Sequence, residues 1–261
     1  MSPLQKVVLP KSGLLISRVG LGLSRAHYRP DRETESLIKA ALEMGVTHFD
    51  TARGYSDGHA ERILGNALQG QRTRVTIATK FGINPARLIE QSARLRKPLI
   101  GARAMLRRLG VKMEPVRDYT AGNLRNSVED SLRALKTDYC DILFLHEPLA
   151  AYMDLLLRDD SLFETVARLK AAGKVKYFGV STHGDACAAA IGSARAEAID
   201  VVQMPEADWH QNGLVPDLTY SLFRGQSGYP RTLLQQALAR RPQGAVVIST
   251  TRIDHLREVV A

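Results

Sequence analysis

A (β/α)8 TIM barrel is the fold this sequence predicts, and three observations predict it. Short runs rich in Val, Ile and Phe, suited to strands covered on both faces, recur along the chain. Amphipathic stretches with helix punctuation lie between them, and strands alternating with helices build a parallel sheet. Eight such runs, with no low-complexity linker and no internal repeat, fit a closed barrel better than a doubly wound open sheet. The whole of residues 1–261 is therefore expected to be a single barrel domain with a substantial buried core.

The first strand is read at "VGLG" (19–22). Asp31 can cap the next helix, which carries Glu33 and Glu35 in its first turn. Leu37, Ile38, Ala41 and Leu42 share one of its faces, and Gly45 stops it. "VTHFD" (46–50) and "VTIATK" (75–80) are the second and third strands. Residues 82–120 then stand where a barrel normally has a short loop. Within them "ARLIEQSARLRKPLIGARAMLRRLG" reads as a basic, helical insertion over 83–119, starting on the catalytic face. Leu88, Leu95, Leu99 and Leu106 could pack it down as a flap whose arginines favour anionic substrates. Thr120 precedes "AGNLRNSVEDSLRAL", with Leu124, Val128, Leu132 and Leu135 on one face, and the fourth strand is "DILFLH" (141–146). Ser161 opens "LFETVARLKAA", Gly173 closes it, and "VKYFGVS" (175–181) follows. Only 13 residues separate "IDVVQM" (199–204) from "LTYSLF" (218–223). That is close to the ~10–12 residues a crossover needs, so this helix should be short or absent. "AVVIS" (245–249) is the eighth strand.

Composition narrows the function classes. Apolar residues make up 44% and charged residues 24%, the balance of an ordinary globular protein. No stretch approaches the ~20 apolar residues of a membrane span, and "MSPLQKVVLPKSG" does not read as a signal peptide. Cys140 and Cys187 form neither a C-x-x-C pair nor a disulfide framework, which points to a reducing cytoplasm. The net charge of +9 is mostly local: residues 83–119 hold nine Lys or Arg against Glu90, Glu114 and Asp118. No aromatics interleave with them, so neither nucleic acid nor membrane is an expected partner. Oligomeric state is not legible.

Four ionisable residues fall at or just beyond strand ends: Asp50, Tyr55, Lys80 and His146. In a barrel all four converge on the C-terminal face, where catalytic residues sit. Competing motifs are weaker. Gly54-Tyr55-Ser56-Asp57-Gly58 matches G-x-S-x-G, but a nucleophile elbow joins strand directly to helix, and "TAR" intervenes here. "HEPLA" lacks the second histidine of a zinc site, so no metal is expected. "GLGLS" lacks the third glycine of a dinucleotide fingerprint.

"FDTARGYSDGHAERILGNAL", "IATKFG", "SVEDSLRALKTDYCDILFLH" and "GKVKYFGVSTH" together resemble the aldo-keto reductase family over most of the chain, except 83–119 and about 205–217. The resemblance implies reduction of an aldehyde or ketone, or the reverse oxidation, with NADPH, NADH being the alternative nucleotide. It implies Tyr55 as general acid, Lys80 as the cation that tunes it, Asp50 as the partner of Lys80, and His146 as the group that orients the carbonyl. It assigns Ser181, Thr182, Gln203, Tyr220, Ser249, Thr250, Thr251 and Arg252 to the nucleotide, Thr182 standing where an asparagine is usual. Val259 replaces an adenine-binding asparagine, which implies weaker binding of the adenosine end. Ser24 and Glu147 occupy substrate-facing positions where aromatics are frequent, so a small-molecule carbonyl substrate would meet a more polar or a roomier pocket. Two other functions fit the same residues: a nucleotide-binding barrel with little turnover, or a lyase or isomerase using Tyr55 as acid–base group.

Overall fold

Alternate residues of eight short parallel strands find two separate apolar partners, and this closes the sheet. The computed structural model describes residues 5–85, 116–209 and 214–260, together with Pro98, Ala102, Met105 and Leu109. An antiparallel hairpin of β1 (Lys6–Val8) and β2 (Leu15–Ser17) comes first. The barrel follows: β3 (Val19–Gly22), β4 (His48–Asp50), β5 (Thr76–Phe81), β6 (Cys140–His146), β7 (Val175–Ser181), β8 (Val201–Pro205), β9 (Leu218–Tyr220) and β10 (Ala245–Ile248). All eight are parallel and pair in the closed order β10-β3-β4-β5-β6-β7-β8-β9.

Inward side chains include Ala78, Ile142, Phe144, Val201, Leu218 and Ala245, all with no exposed surface. Leu9 and Ile16 of the hairpin join that cluster at the end where β8, β9 and β10 begin. The hairpin has no counterpart in the sequence reading. Its three-residue strands are too short to show alternation. Outward residues such as Phe49, Ile77, Leu143, Leu145, Phe178 and Met204 meet the surrounding helices. Those helices are α1 (Asp31–Glu43), α2 (His59–Ala67), α3 (Ala121–Leu135), α4 (Ala150–Leu157), α5 (Asp160–Ala171), α6 (Gly184–Ile191), α7 (Pro230–Arg240) and α8 (Ile253–Val260).

Local details depart from expectation for identifiable reasons. Asp31 is the first residue of α1 rather than its cap, and its carboxylate lies 2.7 Å from His59 Nε2 instead. Asp159, not Ser161, caps α5, accepting from the Leu162 N–H at 3.3 Å, while Ser161 donates to Asp159. Thr120 does cap α3, through the Asn123 N–H. β9 ends at Tyr220 because Ser221 turns to φ 59°. The described residues between Pro205 and Leu218 contain no helix.

The chain leaves β5 and returns before α3 through a pinned neck. Ile83 and Arg117 pair as an antiparallel bridge, with Asn84 N–H donating to Val116 O (3.1 Å) and Asp118 N–H to Gly82 O (2.8 Å). Apart from Pro98, Ala102, Met105 and Leu109, the helical flap expected between them lies outside the described residues. Tyr119 then folds across the neck and donates its hydroxyl to His146 O at 2.8 Å. Gly82 makes room for it: a Cβ there would lie 2.1 Å from the Tyr119 ring.

Candidate active site

Four polar side chains of the site sit two residues beyond an inward apolar one, so the strand period itself aims them into the barrel mouth. Lys80 follows Ala78, His146 follows Phe144, Gln203 follows Val201, and Tyr220 follows Leu218. A cavity of about 570 Å³ opens there. Asp50, Tyr55, Lys80 and His146 all line it, so the four residues read from the sequence come together.

Asp50 and Lys80 form its floor. Lys80 Nζ donates to Asp50 Oδ1 at 2.5 Å and to Thr51 O at 2.9 Å, with both side chains almost fully buried. The second carboxylate oxygen of Asp50 accepts from Gln203 Nε2 at 3.0 Å, and Gln203 Oε1 accepts from Ser181 Oγ at 2.6 Å. One chain of contacts therefore runs Lys80–Asp50–Gln203–Ser181 across four strands.

Tyr55 reaches this floor from a tightly turned loop. Ser56, Asp57 and Gly58 are all left-handed, at φ 53°, 52° and 82°. The two non-glycine residues cost roughly 1–2 kcal/mol each, a strain the surroundings must hold. Arg53 supplies part of that hold, pairing with Glu61 (3.3 Å) and Asp130 (3.4 Å) from a buried position. Glu61 also accepts from Thr79 Oγ1 at 2.6 Å. The Tyr55 ring lies edge-on to His146, centroids 5.6 Å apart at 79°, and Lys80 Nζ is 5.0 Å from its centroid. Ser56 does not line the cavity, and its buried hydroxyl has no hydrogen-bond partner among the described residues. The loop therefore brings Tyr55, and not Ser56, to the cavity.

Burial and local charge fix the protonation states. Withdrawal from water pushes the Tyr55 hydroxyl well above its ordinary value, and the carboxylates of Asp50 and Glu147 push the same way. Tyr55 is a protonated phenol at neutral pH. Burial holds His146 well below the ordinary imidazole range, helped by the positive fields of Lys80 and Arg117. His146 is therefore neutral, and its Nδ1 has no partner among the described residues.

Of the other residues read from the sequence, Ser24, Glu147, Ser181, Gln203, Tyr220 and Ser249 line the cavity. Thr182 does not: its hydroxyl donates to Pro148 O at 2.9 Å, which fixes the segment after β6. Thr250, Thr251 and Arg252 lie outside the lining, in a turn where Thr250 Oγ1 accepts from the Arg252 N–H at 3.2 Å. Val259 is buried in the core beside α1 and α7. Sequence reasoning passed over Arg25, Phe223 and Arg224, which also line the cavity. Both arginines are exposed, and neither guanidinium has a hydrogen bond or ion pair among the described residues. The only sequence signal for them was position, one or a few residues past a strand end. Among the described residues there is no cluster suited to a metal ion and no helix long and apolar enough to cross a membrane. Cys140 and Cys187 are buried free thiols.

This closed parallel barrel, with an Asp–Lys pair, a tyrosine and a histidine at one mouth, has known relatives in sequence and in structure. The sequence model of the Aldo/keto reductase family matches residues 18–211. A Bacillus subtilis protein named as an uncharacterized oxidoreductase is 32% identical over 190 residues, 70% of this chain and 54% of that protein. The 6-dehydroglucose reductase of Agrobacterium fabrum is 32% identical over 184 residues, 68% of this chain and 54% of that protein. An aldo-keto reductase from Bacillus halodurans in its holo form superposes with TM-score 0.73 at 21% identity, covering 98% of this chain and 89% of that one. One from Klebsiella pneumoniae, in complex with NADP and acetate, gives 0.64 at 20% identity, over 98% and 88%. This chain belongs to the aldo/keto reductase family. It spans about half the length of the two curated relatives named above.

Proposed function

We propose that this protein reduces an aldehyde or ketone to the alcohol with a nicotinamide nucleotide, NADPH first and NADH as the alternative, and with Tyr55 as proton donor. The observation that carries the reading is the convergence of a protonated tyrosine, a neutral histidine and a buried Lys–Asp pair on one cavity. The residues fit the nucleotide. Ser181 and the Gln203 amide present a donor–acceptor pair suited to a carboxamide, and Tyr220 offers an aromatic wall. Ser249 and the unpaired guanidiniums of Arg25 and Arg224 suit phosphate oxygens. Arg252, whose guanidinium has no partner among the described residues, stands just before α8 and is the candidate for the adenosine end. The relatives support an oxidoreductase using such a nucleotide, with a 6-dehydroglucose reductase and an L-galactose dehydrogenase among them and a neighbour solved with NADP.

When bound, the nucleotide supplies the two electrons and one hydrogen that the carbonyl carbon gains. The residues of the chain supply the rest. Neutral His146 orients the carbonyl oxygen by hydrogen bonding without a competing charge. Tyr55 gives its phenolic proton to that oxygen as negative charge develops on it. Lys80, held by Asp50 close to the Tyr55 ring, stabilises the phenolate left behind. Ser24 and Glu147 face the substrate.

The test is Tyr55→Phe, followed by nucleotide absorbance with a panel of aldehydes. Loss of general acid catalysis should lower turnover about 10²–10⁴-fold. Nucleotide affinity, read by fluorescence quenching, should change less than about twofold, since only the proton donor is removed. Ser56→Ala should be nearly silent. If Ser56→Ala abolished turnover and Tyr55→Phe did not, the reading would fall. So would a wild-type protein that binds neither nucleotide.

A further inference from the structure

Glu147 is an ionisable group at the cavity wall to which the reaction described above gives no chemical step. It follows His146 directly, with φ 45° and its N–H donating to Ser181 O at 2.8 Å. A glutamate in left-handed backbone sits where glycine or asparagine would be easier, so its side chain is held at this wall against a local preference. Its carboxylate has no hydrogen bond or ion pair among the described residues. It is close enough to Tyr55, Tyr119 and Tyr220 for its charge to act on all three hydroxyls. An unpaired acceptor thus stands beside the point where the carbonyl would lie.

We propose that Glu147 makes this pocket selective for neutral carbonyl compounds bearing hydroxyl groups next to the carbonyl, and selective against those bearing a carboxylate there. This inference rests on the carbonyl-reducing reading of the same site. A carboxylate accepts hydrogen bonds and cannot donate, so the part of the substrate near it must donate. A hydroxyl does so at small desolvation cost. A second carboxylate would meet like charge from Glu147 in a partly enclosed space. A cationic substrate is disfavoured from the other side, because Lys80 and Arg117 already impose a positive field at His146. Arg25 and Arg224 do not reverse this, being assigned to the phosphates of the nucleotide. A neutral, hydroxylated compound satisfies Glu147 without opposing either field.

The experiment compares kcat/KM for D-glyceraldehyde, propanal, aminoacetaldehyde and glyoxylate in the wild type, Glu147→Gln and Glu147→Ala. Ratios between substrates are read, so an overall loss of activity does not obscure the outcome. Wild type should prefer glyceraldehyde over propanal by about tenfold or more, the worth of a hydrogen bond to a charged group. Glu147→Ala should reduce that ratio to within about threefold of unity, and glyoxylate should gain relative to propanal in both variants. Glu147→Gln keeps the shape of the side chain and one acceptor oxygen, so it should retain part of the hydroxyl preference while losing the bias against glyoxylate. A wild type that turns over propanal well but favours glyoxylate or aminoacetaldehyde over glyceraldehyde overturns the inference and leaves the reductase reading standing. So does a glyceraldehyde-to-propanal ratio that is unchanged in both variants. No turnover of any carbonyl with either nucleotide overturns the reading and the inference together.

Discussion

Asp50 and Lys80 are each buried to within a few per cent of full enclosure and hold one another at 2.5 Å. Removing one partner strands the other. Asp50→Asn leaves the Lys80 ammonium among uncharged acceptors, the new amide oxygen and Thr51 O, with no counter-ion. Lys80→Met leaves the Asp50 carboxylate with the Gln203 amide as its donor and no cation beside it. Breaking a buried pair in either way costs about 3–5 kcal/mol. The double variant strands neither charge and should lose only about 1–2 kcal/mol. Urea denaturation of all four proteins at pH 7 measures the cycle. The expected coupling is at least about 3 kcal/mol. Additive penalties would refute the argument, since they would mean that solvent reaches these charges and the pair is not a buried electrostatic unit.

The eight barrel strands were legible because burial on both faces makes each a continuous apolar run ended by a polar residue. "DILFLH" and "VKYFGVS" coincide with β6 and β7 to within a residue. The convergence of the candidate residues on one cavity was legible for the same reason: Asp50, Lys80 and His146 are the residues at which such runs stop. Tyr55 came from the resemblance and its place in the loop, because nothing in the one-dimensional pattern announces three successive left-handed residues, two of them not glycine. Thr182 shows the limit of a strand-end argument. It follows Ser181 directly, but a backbone N–H bonded to Gln203 O and a hydroxyl bonded to Pro148 O turn it away from the mouth. The role of Tyr119 was illegible because its two partners, Gly82 and the carbonyl of His146, are 37 and 27 residues away in sequence. Arg25 and Arg224 were missed because exposed loop arginines are common, and only the cavity shows that these two share a wall.

Two further predictions concern the frame around the site. Gly82→Ala puts a methyl 2.1 Å from the Tyr119 ring on a backbone at φ 108°, so steric and conformational costs add. It should destabilise the fold by about 2–4 kcal/mol in thermal or urea unfolding. Combining it with Tyr119→Ala should cost less than the sum of the two, because the clash is gone; full additivity would mean the ring does not rest on Gly82. The last prediction concerns acid. His48 is fully enclosed beneath Asp50, its Nδ1 2.9 Å from Thr76 Oγ1 and its Nε2 without a partner among the described residues. Burial lowers its value to about 4, with Lys80 contributing in the same direction and Asp50 and Asp141 opposing it. Above the unfolded value near ~6.5 the ring is neutral in both states and costs nothing. Between ~6.5 and about 4 the unfolded chain takes up a proton that the folded protein refuses, so stability falls as pH falls. The difference of about 2.5 pH units corresponds to roughly 3 kcal/mol. His48→Gln cannot titrate, so the stability of the wild type relative to this variant should decline by about that amount from pH 7 to pH 4. Groups remote from His48 are common to both proteins, so their contribution cancels in the comparison. Parallel stability curves would mean that His48 is protonated as readily inside the barrel as outside it, and that the interior beneath Asp50 is open to water.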